Sequence, residues 1–407
     1  MTRAAFAFIF ITVLLDMIAF GVVIPVFPGL VVRLEGGDTA AGATAFGVFG
    51  AAWALMQFLF QPVLGGLSDR FGRRPVILLS NLGLGLDYIV MALAPNLAWL
   101  FLGRVVSGIT SSSFSAANAY IADVTPPEKR AARFGMVGVA FGIGFIIGPA
   151  LGGALGAVDL RAPFWAAAAL SLANFAYGFF ILPESLPAER RSAFQIHAAN
   201  PIGALHFVRT RPGLSTLAIA AFFAYLAHDS LPAVFVLFTQ YRFAWDERAV
   251  GLALALVGVS SMVVQGLVVG RAVERLGERG ALAAALMLGL IAQLLLGLAP
   301  VPAVFIVGIA LWSFFGLFGP SLLGLATRSC APTEQGRLQG VFASLHAVTA
   351  IAAPLMFTQT FALAVGDLRA FLLPGSPFVL SALLLAASLA TVWRVVFGAR
   401  AESPAAA

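Results

Sequence analysis

Apolar residues run through this chain in long blocks, each ended by a short cluster of Pro, Gly or charged residues. Twelve blocks fall at about 5–29, 43–66, 75–94, 98–121, 131–156, 162–182, 213–240, 248–270, 280–298, 302–327, 336–362 and 374–397. Each is close to the roughly 20 residues that a helix needs to cross a bilayer core of about 30 Å. Lipid offers no partner to backbone N–H and C=O groups, so segments of this length must close their hydrogen bonds as helices. The pattern predicts an all-α membrane protein with twelve transmembrane helices. The longest polar interval, Pro183 to Pro212, carries Glu184, Glu189, Arg190, Arg191, His197, His206, Arg209 and Arg211 and divides the spans six and six. The expected organisation is an N-terminal six-helix bundle at 1–182, a cytoplasmic linker at 183–212, a C-terminal six-helix bundle at 213–400 and a tail at 401–407. The first block follows Arg3 as a signal peptide would, but Asp16 interrupts it and no small-residue cleavage pattern follows, so it reads as span 1.

Composition acts mainly by exclusion. Of 407 residues, 60% are hydrophobic and 10% charged, whereas soluble domains carry roughly 25% charged residues. The mean hydropathy is +0.97. A soluble enzyme, a secreted disulfide scaffold and a nucleic-acid-binding protein are all excluded. The net charge of +6 belongs instead to the loops. With both termini in the cytoplasm, 18 of the 24 Lys and Arg lie inside and 5 outside, and Arg104 lies within a span. That bias obeys the positive-inside rule and suits a bacterial-type inner (plasma) membrane, with the lipid bilayer as partner and no nucleic acid. Cys330 is the only cysteine, so no intrachain disulfide or thiolate metal cluster can form. No HExxH motif and no nucleophile–base constellation occurs, so neither an enzyme nor a protein-held metal is expected.

The second half echoes the first at an offset of 205. Gly65, Asp69, Arg70, Gly72 and Arg74 match Gly270, Glu274, Arg275, Gly277 and Arg279. At the same offset Pro95, Gly103, Pro127, Gly135 and Pro149 match Pro300, Gly308, Pro332, Gly340 and Pro354. Ten pairs at one spacing, a whole charged loop among them, argue for duplication of a six-helix unit.

Four stretches carry a family resemblance. GGLSDRFGRRP, Gly65 to Pro75, resembles the signature between helices 2 and 3 of the major facilitator superfamily. Gly135, Gly144, Gly148, Pro149, Gly152 and Gly153 in span 5 are spaced like the motif of that superfamily's drug/proton antiporters. With LDMIAFGVVIPVFP, Leu15 to Pro28, and the run from Gly103 to Gly135, they make the chain similar to the tetracycline/proton antiporter family. The resemblance covers nearly the whole chain and is stronger in the first half. It implies the major facilitator fold, the known example of two parallel repeats with a binding site between them near mid-bilayer.

Ionisable groups inside spans are functional candidates by default. Here they are Asp16, Asp87, Arg104, His228, Asp229 and His346. Asp16 stands in a long apolar run, and such a carboxyl can take and release a proton as a cavity alternates its exposure. Asp87 lies about 8 residues, roughly 12 Å, from the outer end of span 3. Arg104 lies at matching depth in span 4, so the two are expected to pair, for function or for packing alone. His228 and Asp229 precede Pro232, which bends a helix and frees carbonyls to line a cavity. In the family resembled, acids matching Asp16 and Asp87 and the arginine matching Arg104 serve transport and proton coupling.

The loop after span 2 is read as a cytoplasmic gate of Gly65, Asp69, Arg70, Gly72, Arg73, Arg74 and Asp123. Its glycines would permit a tight turn, Asp69 would cap span 2 or face the start of span 11, and the arginines would reach Asp123. The glycines of span 5 would permit close packing. Gln57, Gln61, Asn118, Gln240 and Gln265, with His228, Asp229 and aromatic residues such as Phe222, Phe223, Tyr225, Trp312, Phe314 and Phe315, would suit a cavity for a greasy drug.

The expected function is efflux of an amphipathic small molecule, tetracycline-like by resemblance, against protons, by a monomer using alternating access. No cofactor is expected beyond the coupling proton, although a divalent metal could travel bound to the substrate. The alternatives are export of another drug or metabolite, and nutrient symport. The family resembled carries a histidine in span 8 and an acid in span 9, and both are absent here. Either Asp229 substitutes or the substrate differs.

Overall fold

The computed structural model describes residues 2–111, 113–191, 212–328, 330–331 and 334–397. The linker residues 192–211, with His197, His206, Arg209 and Arg211, and the tail at 401–407 lie outside the described residues.

The described residues are helical with short connections. In the first half the helices are α1 (Thr2–Val23), α2 (Phe27–Leu34), α3 (Thr39–Phe71), α4 (Arg73–Leu93), α5 (Leu97–Thr110), α6 (Ser113–Val124), α7 (Pro127–Gly156) and α8 (Ala162–Ile181). In the second half they are α9 (Pro212–His228), α10 (Ser230–Phe243), α11 (Glu247–Val263), α12 (Val269–Leu298), α13 (Pro302–Trp312), α14 (Phe318–Thr327), α15 (Gln335–Val365) and α16 (Ser376–Phe397). A π-helical turn, Val264–Val268, joins α11 to α12, and a 3₁₀ segment, Ser313–Leu317, joins α13 to α14.

Local chemistry sets the ends. Asp38 Oδ1 accepts from Ala40 N at 2.8 Å and Ala41 N at 3.1 Å, capping α3. Asn96 does the same for α5, and Pro127 opens α7 where its missing N–H costs nothing. Arg161 closes the C-terminal end of α4, donating to Ala92 O and Ala94 O at 2.8 Å each.

Among the described residues, eleven stretches are long and apolar enough to cross a membrane. One of them, Glu247–Leu298, has 52 residues, or roughly 78 Å of helix at 1.5 Å per residue, more than twice the bilayer core. It is two crossings, broken at Gly277, where φ is 67° and ψ is 168°. The twelve-helix architecture follows. Large apolar side chains remain on the outside, such as Phe180 at 81% exposure, as a lipid-facing surface requires.

The chain forms two compact units, Met1–Ala199 with Thr239–Gly258, and Asn200–Phe238 with Val259–Ala407. In the first, α1 packs on α7 and α8, and α4 on α8 and α5. Thr239–Gly258 joins this unit through small residues. A Cβ on Gly153 would lie 2.9 Å from Gly251 Cα, and one on Gly258 would meet Phe145 and Ile146 of α7. In the second, α12 packs on α16 and α13, and α9 on α16 and α15. Phe238, Phe305 and Phe378 interlock at its centre with ring centroids 5.2–6.1 Å apart. Ser381 and Ser388 on α16 donate to Ala227 O and Ala220 O of α9 at 2.8 and 2.9 Å, replacing the burial drive that lipid removes between helices.

The loop expected at 65–75 is almost entirely helical. Helix α3 continues to Phe71, and Gly72 alone, at φ 105°, turns the chain into α4. Gly65 is therefore no turn residue, and a Cβ there would meet nothing within 4 Å. Gly277, 205 residues on from Gly72, also takes a positive φ. The repeat extends to the neighbouring charges with their signs exchanged. Arg73 pairs with Asp123 at 3.0 Å, and Glu278 pairs with Arg328 at 2.8 Å, at the same offset.

Candidate functional site

Asp16 lies buried on α1, about two turns before its end at Val23. Asn174 of α8 donates from Nδ2 to Asp16 Oδ1 at 2.8 Å and to Thr12 O at 2.9 Å. Asn81 of α4, its amide oriented by the hydrogen-bond network, donates to Asp16 Oδ1 and Oδ2 at 3.2 and 3.3 Å and accepts from Asn174 Nδ2 at 3.1 Å. Both amides are buried, at 1% and 0% exposure. The sequence reading missed them, although an amide in an apolar span is the same kind of signal as an acid there.

Asp87 and Arg104 share one site but do not form the expected ion pair. Each lies in the other's electrostatic field, yet they form no ion pair within 4.0 Å, and the polar side chain set against the Asp87 carboxyl is the Ser107 hydroxyl of α5. The carboxyl instead packs on the bare backbone of Gly103, where a Cβ would stand 2.8 Å from Oδ1. The guanidinium lies between two rings, 5.2 Å from the centroid of Phe27 and 5.2 Å from that of Trp53. Such cation–π contacts replace part of the lost hydration. Tyr88, buried beside Asp87, lies in the field of Asp16, Asp87 and Arg104 together. Asp16, read apart from Asp87 and Arg104 in the sequence, thus belongs to one polar cluster with them. Nearby, Gln57 donates to Ser111 Oγ at 3.0 Å across the α5–α6 break. Gln61 is exposed and Asn118 half-buried, and neither joins a hydrogen bond among the described residues. Gln240 lays its amide on Gly29, 3.3 Å from the position of a Cβ there.

Of the residues expected to form a gate, Arg73, Asp69 and Asp123 come together. Arg73 donates to Asp123 Oδ2 and pairs with Asp69 one turn back. The other arginines go elsewhere: Arg74 Nη2 donates to Phe179 O, and Arg70 lies over the ring of Phe71. Glu184, read only as part of the linker, caps α4 from a distance, accepting from Arg73 N at 2.9 Å and Arg74 N at 3.2 Å. An anion at an exposed helix start is favoured by the free N–H groups and the dipole. Tyr120 adds a bond to Pro183 O at 3.0 Å, so the chain leaving α8 is tied to α4 and α6.

The glycine row of α7 faces α1. A Cβ on Gly144 would strike Met17, one on Gly148 would strike Gly21, and one on Gly152 would strike Val22. Pro149 offers its carbonyl to Gly251. Gly135 is the exception, since a Cβ there would meet nothing within 4 Å. Its neighbours Arg133 and Val137 do reach α1, but Gly135 itself points away from that contact.

In the second unit, helix α9 ends at His228 because Pro232 cannot donate to the His228 carbonyl. His228 Nδ1 and Asp229 Oδ1 are 3.3 Å apart. The His228 ring stacks on Phe315 at 5.7 Å, and Phe315 stacks on Trp312 at 4.7 Å. His346 meets Tyr225 edge-on at 5.2 Å. Gln265 lies exposed on the π-helical turn beside Gly316 of the 3₁₀ segment. Gln293, buried on α12 and missed in the sequence, donates to Ser230 Oγ at 3.2 Å.

Known proteins bear the same features. The Major Facilitator Superfamily model matches residues 9–354. The chain is 39% identical to the Escherichia coli tetracycline resistance protein of class C over 86% of this chain and 88% of that one. It is 38% identical to the Escherichia coli class E protein over 85% of each. Among solved structures, the human organic anion transporter MFSD10 (TETRAN) superposes with a TM-score of 0.69 at 26% identity, covering 96% of this chain and 99% of that one. The nucleoside transporter NupG shares the fold, with a TM-score of 0.76 at 13% identity over 95% and 98%. The chain is an integral membrane protein, and it belongs to the major facilitator superfamily of transporters.

Proposed function

We propose that this chain exports an amphipathic small molecule, of the tetracycline class, in exchange for protons that enter the cell by alternating access. The observation that carries the reading is the 39% identity, over most of both chains, to a tetracycline resistance protein. The buried cluster of Asp16, Asp87 and Arg104 supports the proton half of the exchange. A membrane acid that is retained despite its cost is kept for a task, and proton transfer is the common one. The Arg73–Asp123–Asp69 network serves as the cytoplasmic latch, outside the substrate path. The working location is an inner membrane with both termini in the cytoplasm, and the working unit is the monomer.

Export of a different drug is the second reading. Span 9 has no acid, and its buried polar residue is the neutral Gln293. A substrate carrying a divalent metal would find no anion there. Expression in an efflux-deficient host separates the two readings. Tetracycline export predicts that the growth-stopping tetracycline concentration rises severalfold. Verified membrane expression with unchanged tetracycline tolerance, and raised tolerance to another drug, would favour the second.

A further inference from the structure

The polar side chains around Asp16 are not demanded by the fold. At the offset of 205, Asn81, Asp87 and Arg104 correspond to Leu286, Ala292 and Ile309, all buried and apolar. Helices of the same design therefore pack in the second half without these groups. A buried amide is tolerated only when bonded, so apolar packing would be the cheaper solution in the first half as well. Asn81 and Asn174 both donate to one carboxyl, and they reach it from two different helices.

We propose that Asn81 and Asn174 are positioning residues for proton exchange at Asp16, holding its carboxyl and supplying partners to both its charged and its protonated form. The proposal rests on the proton-exchange reading above. The ionised form accepts from Asn174 Nδ2 at 2.8 Å and from Asn81 at 3.2 and 3.3 Å. Protonation makes one O–H bond, with the proton taken from water on one side and returned to water on the other. Nothing else is formed or broken. The new O–H needs an acceptor, and Asn174 Oδ1 is buried and accepts no hydrogen bond. It belongs to the amide that already touches the acid. An amide can serve both forms because it carries a donor and an acceptor in one plane. A Leu of the same size could serve neither.

Other titratable groups stand on the surrounding helices. They are Tyr88 and Asp87 on α4, Arg104 on α5, Tyr120 and Asp123 on α6, the basic first turns of α7 from Lys129 to Arg133, and Tyr177 on α8. Tyr88 shares an electrostatic field with Asp16 and links it to Asp87 and Arg104. The variants below leave all of these in place.

The test uses the full chain in proteoliposomes, with infrared difference spectra taken across pH and substrate transport driven by an imposed pH gradient. A protonated-carboxyl band lost in Asp16→Asn identifies the acid. In Asn81→Leu and Asn174→Leu the band should change frequency, and its midpoint should rise by about one pH unit or more, because the charged form has lost its donors. The pH profile of transport should move the same way. Asn174→Ser keeps a shorter donor and should shift less, in the same direction. An unchanged band and midpoint in folded Leu variants, with gradient-driven transport intact, overturns this proposal alone. Should the Leu variants fail to fold, the Ser variant carries the test, and a wild-type midpoint in it is the contradicting result. Transport indifferent to the gradient overturns the exchange reading itself, and the proton role proposed here with it.

Discussion

Arg104 holds its charge between the rings of Phe27 and Trp53 and in the field of Asp87, rather than against the carboxylate. That geometry changes what removal of either charge should cost. Breaking a direct buried ion pair costs about 3–5 kcal/mol, because the surviving charge is stranded. Here the rings go on sheltering Arg104, so Asp87→Asn and Arg104→Gln should couple by only roughly 0.5–3 kcal/mol in thermal unfolding in detergent. Transport should fail in both single variants and in the double variant. Strictly additive stability losses would contradict the shared site. Arg104→Lys should also fail, since an ammonium keeps the charge but loses the planar face that stacks on rings. The ions themselves were legible in the sequence, because a charge in an apolar span has few innocent explanations. Their partners were not. Asn174 lies 158 residues from Asp16, and nothing local marks it as facing that acid. Tyr88 adjoins Asp87 in sequence, but its place between three charges depends on how α1, α4 and α5 pack.

Helix contacts decide which glycines matter. A Cβ on Gly152 would overlap the Val22 backbone, and one on Gly148 would approach the Gly21 Cα at 2.7 Å. Backbone cannot move aside as a side chain can, so Gly152→Val should abolish folded transporter in membranes. Gly135→Ala should be tolerated, and should even stabilise the helix by about 0.5–1 kcal/mol, because it fills open space with a better helix former. Detergent thermal unfolding of the two variants checks both, and a folded Gly152→Val would contradict the close α1–α7 contact. The spacing of span 5 exposed the row but could not show that its first member lies outside it. The Arg73–Asp123 pair offers a second test. Since Glu278–Arg328 repeats Arg73–Asp123 with signs exchanged, the first pair should accept the same exchange. Arg73→Glu should lower transport strongly, and adding Asp123→Arg should restore much of it in the same vesicle assay. No recovery would mean that Asp69, which also pairs with Arg73, sets the polarity. The charged loop was legible as a motif. That only Gly72 leaves the helix was not, because a single residue at positive φ carries no periodicity.

At the scale of the whole chain, hydropathy alone predicts twelve crossings, and the described residues hold them. The halves are less tidy than their duplication implies. Thr239–Gly258 belongs to the first compact unit although it follows the linker, and the small residues that fix it there, Gly153 and Gly251, lie 98 positions apart in sequence. Ionisable side chains are distributed unevenly as well. The charged cluster of Asp16, Asp87 and Arg104 sits in the first unit, while the second offers rings, His228, Asp229 and neutral amides. The most direct test is tetracycline accumulation in everted membrane vesicles under an imposed pH gradient, acid inside, with the wild-type chain and with Asp16→Asn at equal expression. The account predicts gradient-driven accumulation in the wild type, its collapse when the gradient is dissipated, and none in Asp16→Asn. Accumulation that survives loss of the gradient, or a fully active Asp16→Asn, would contradict it.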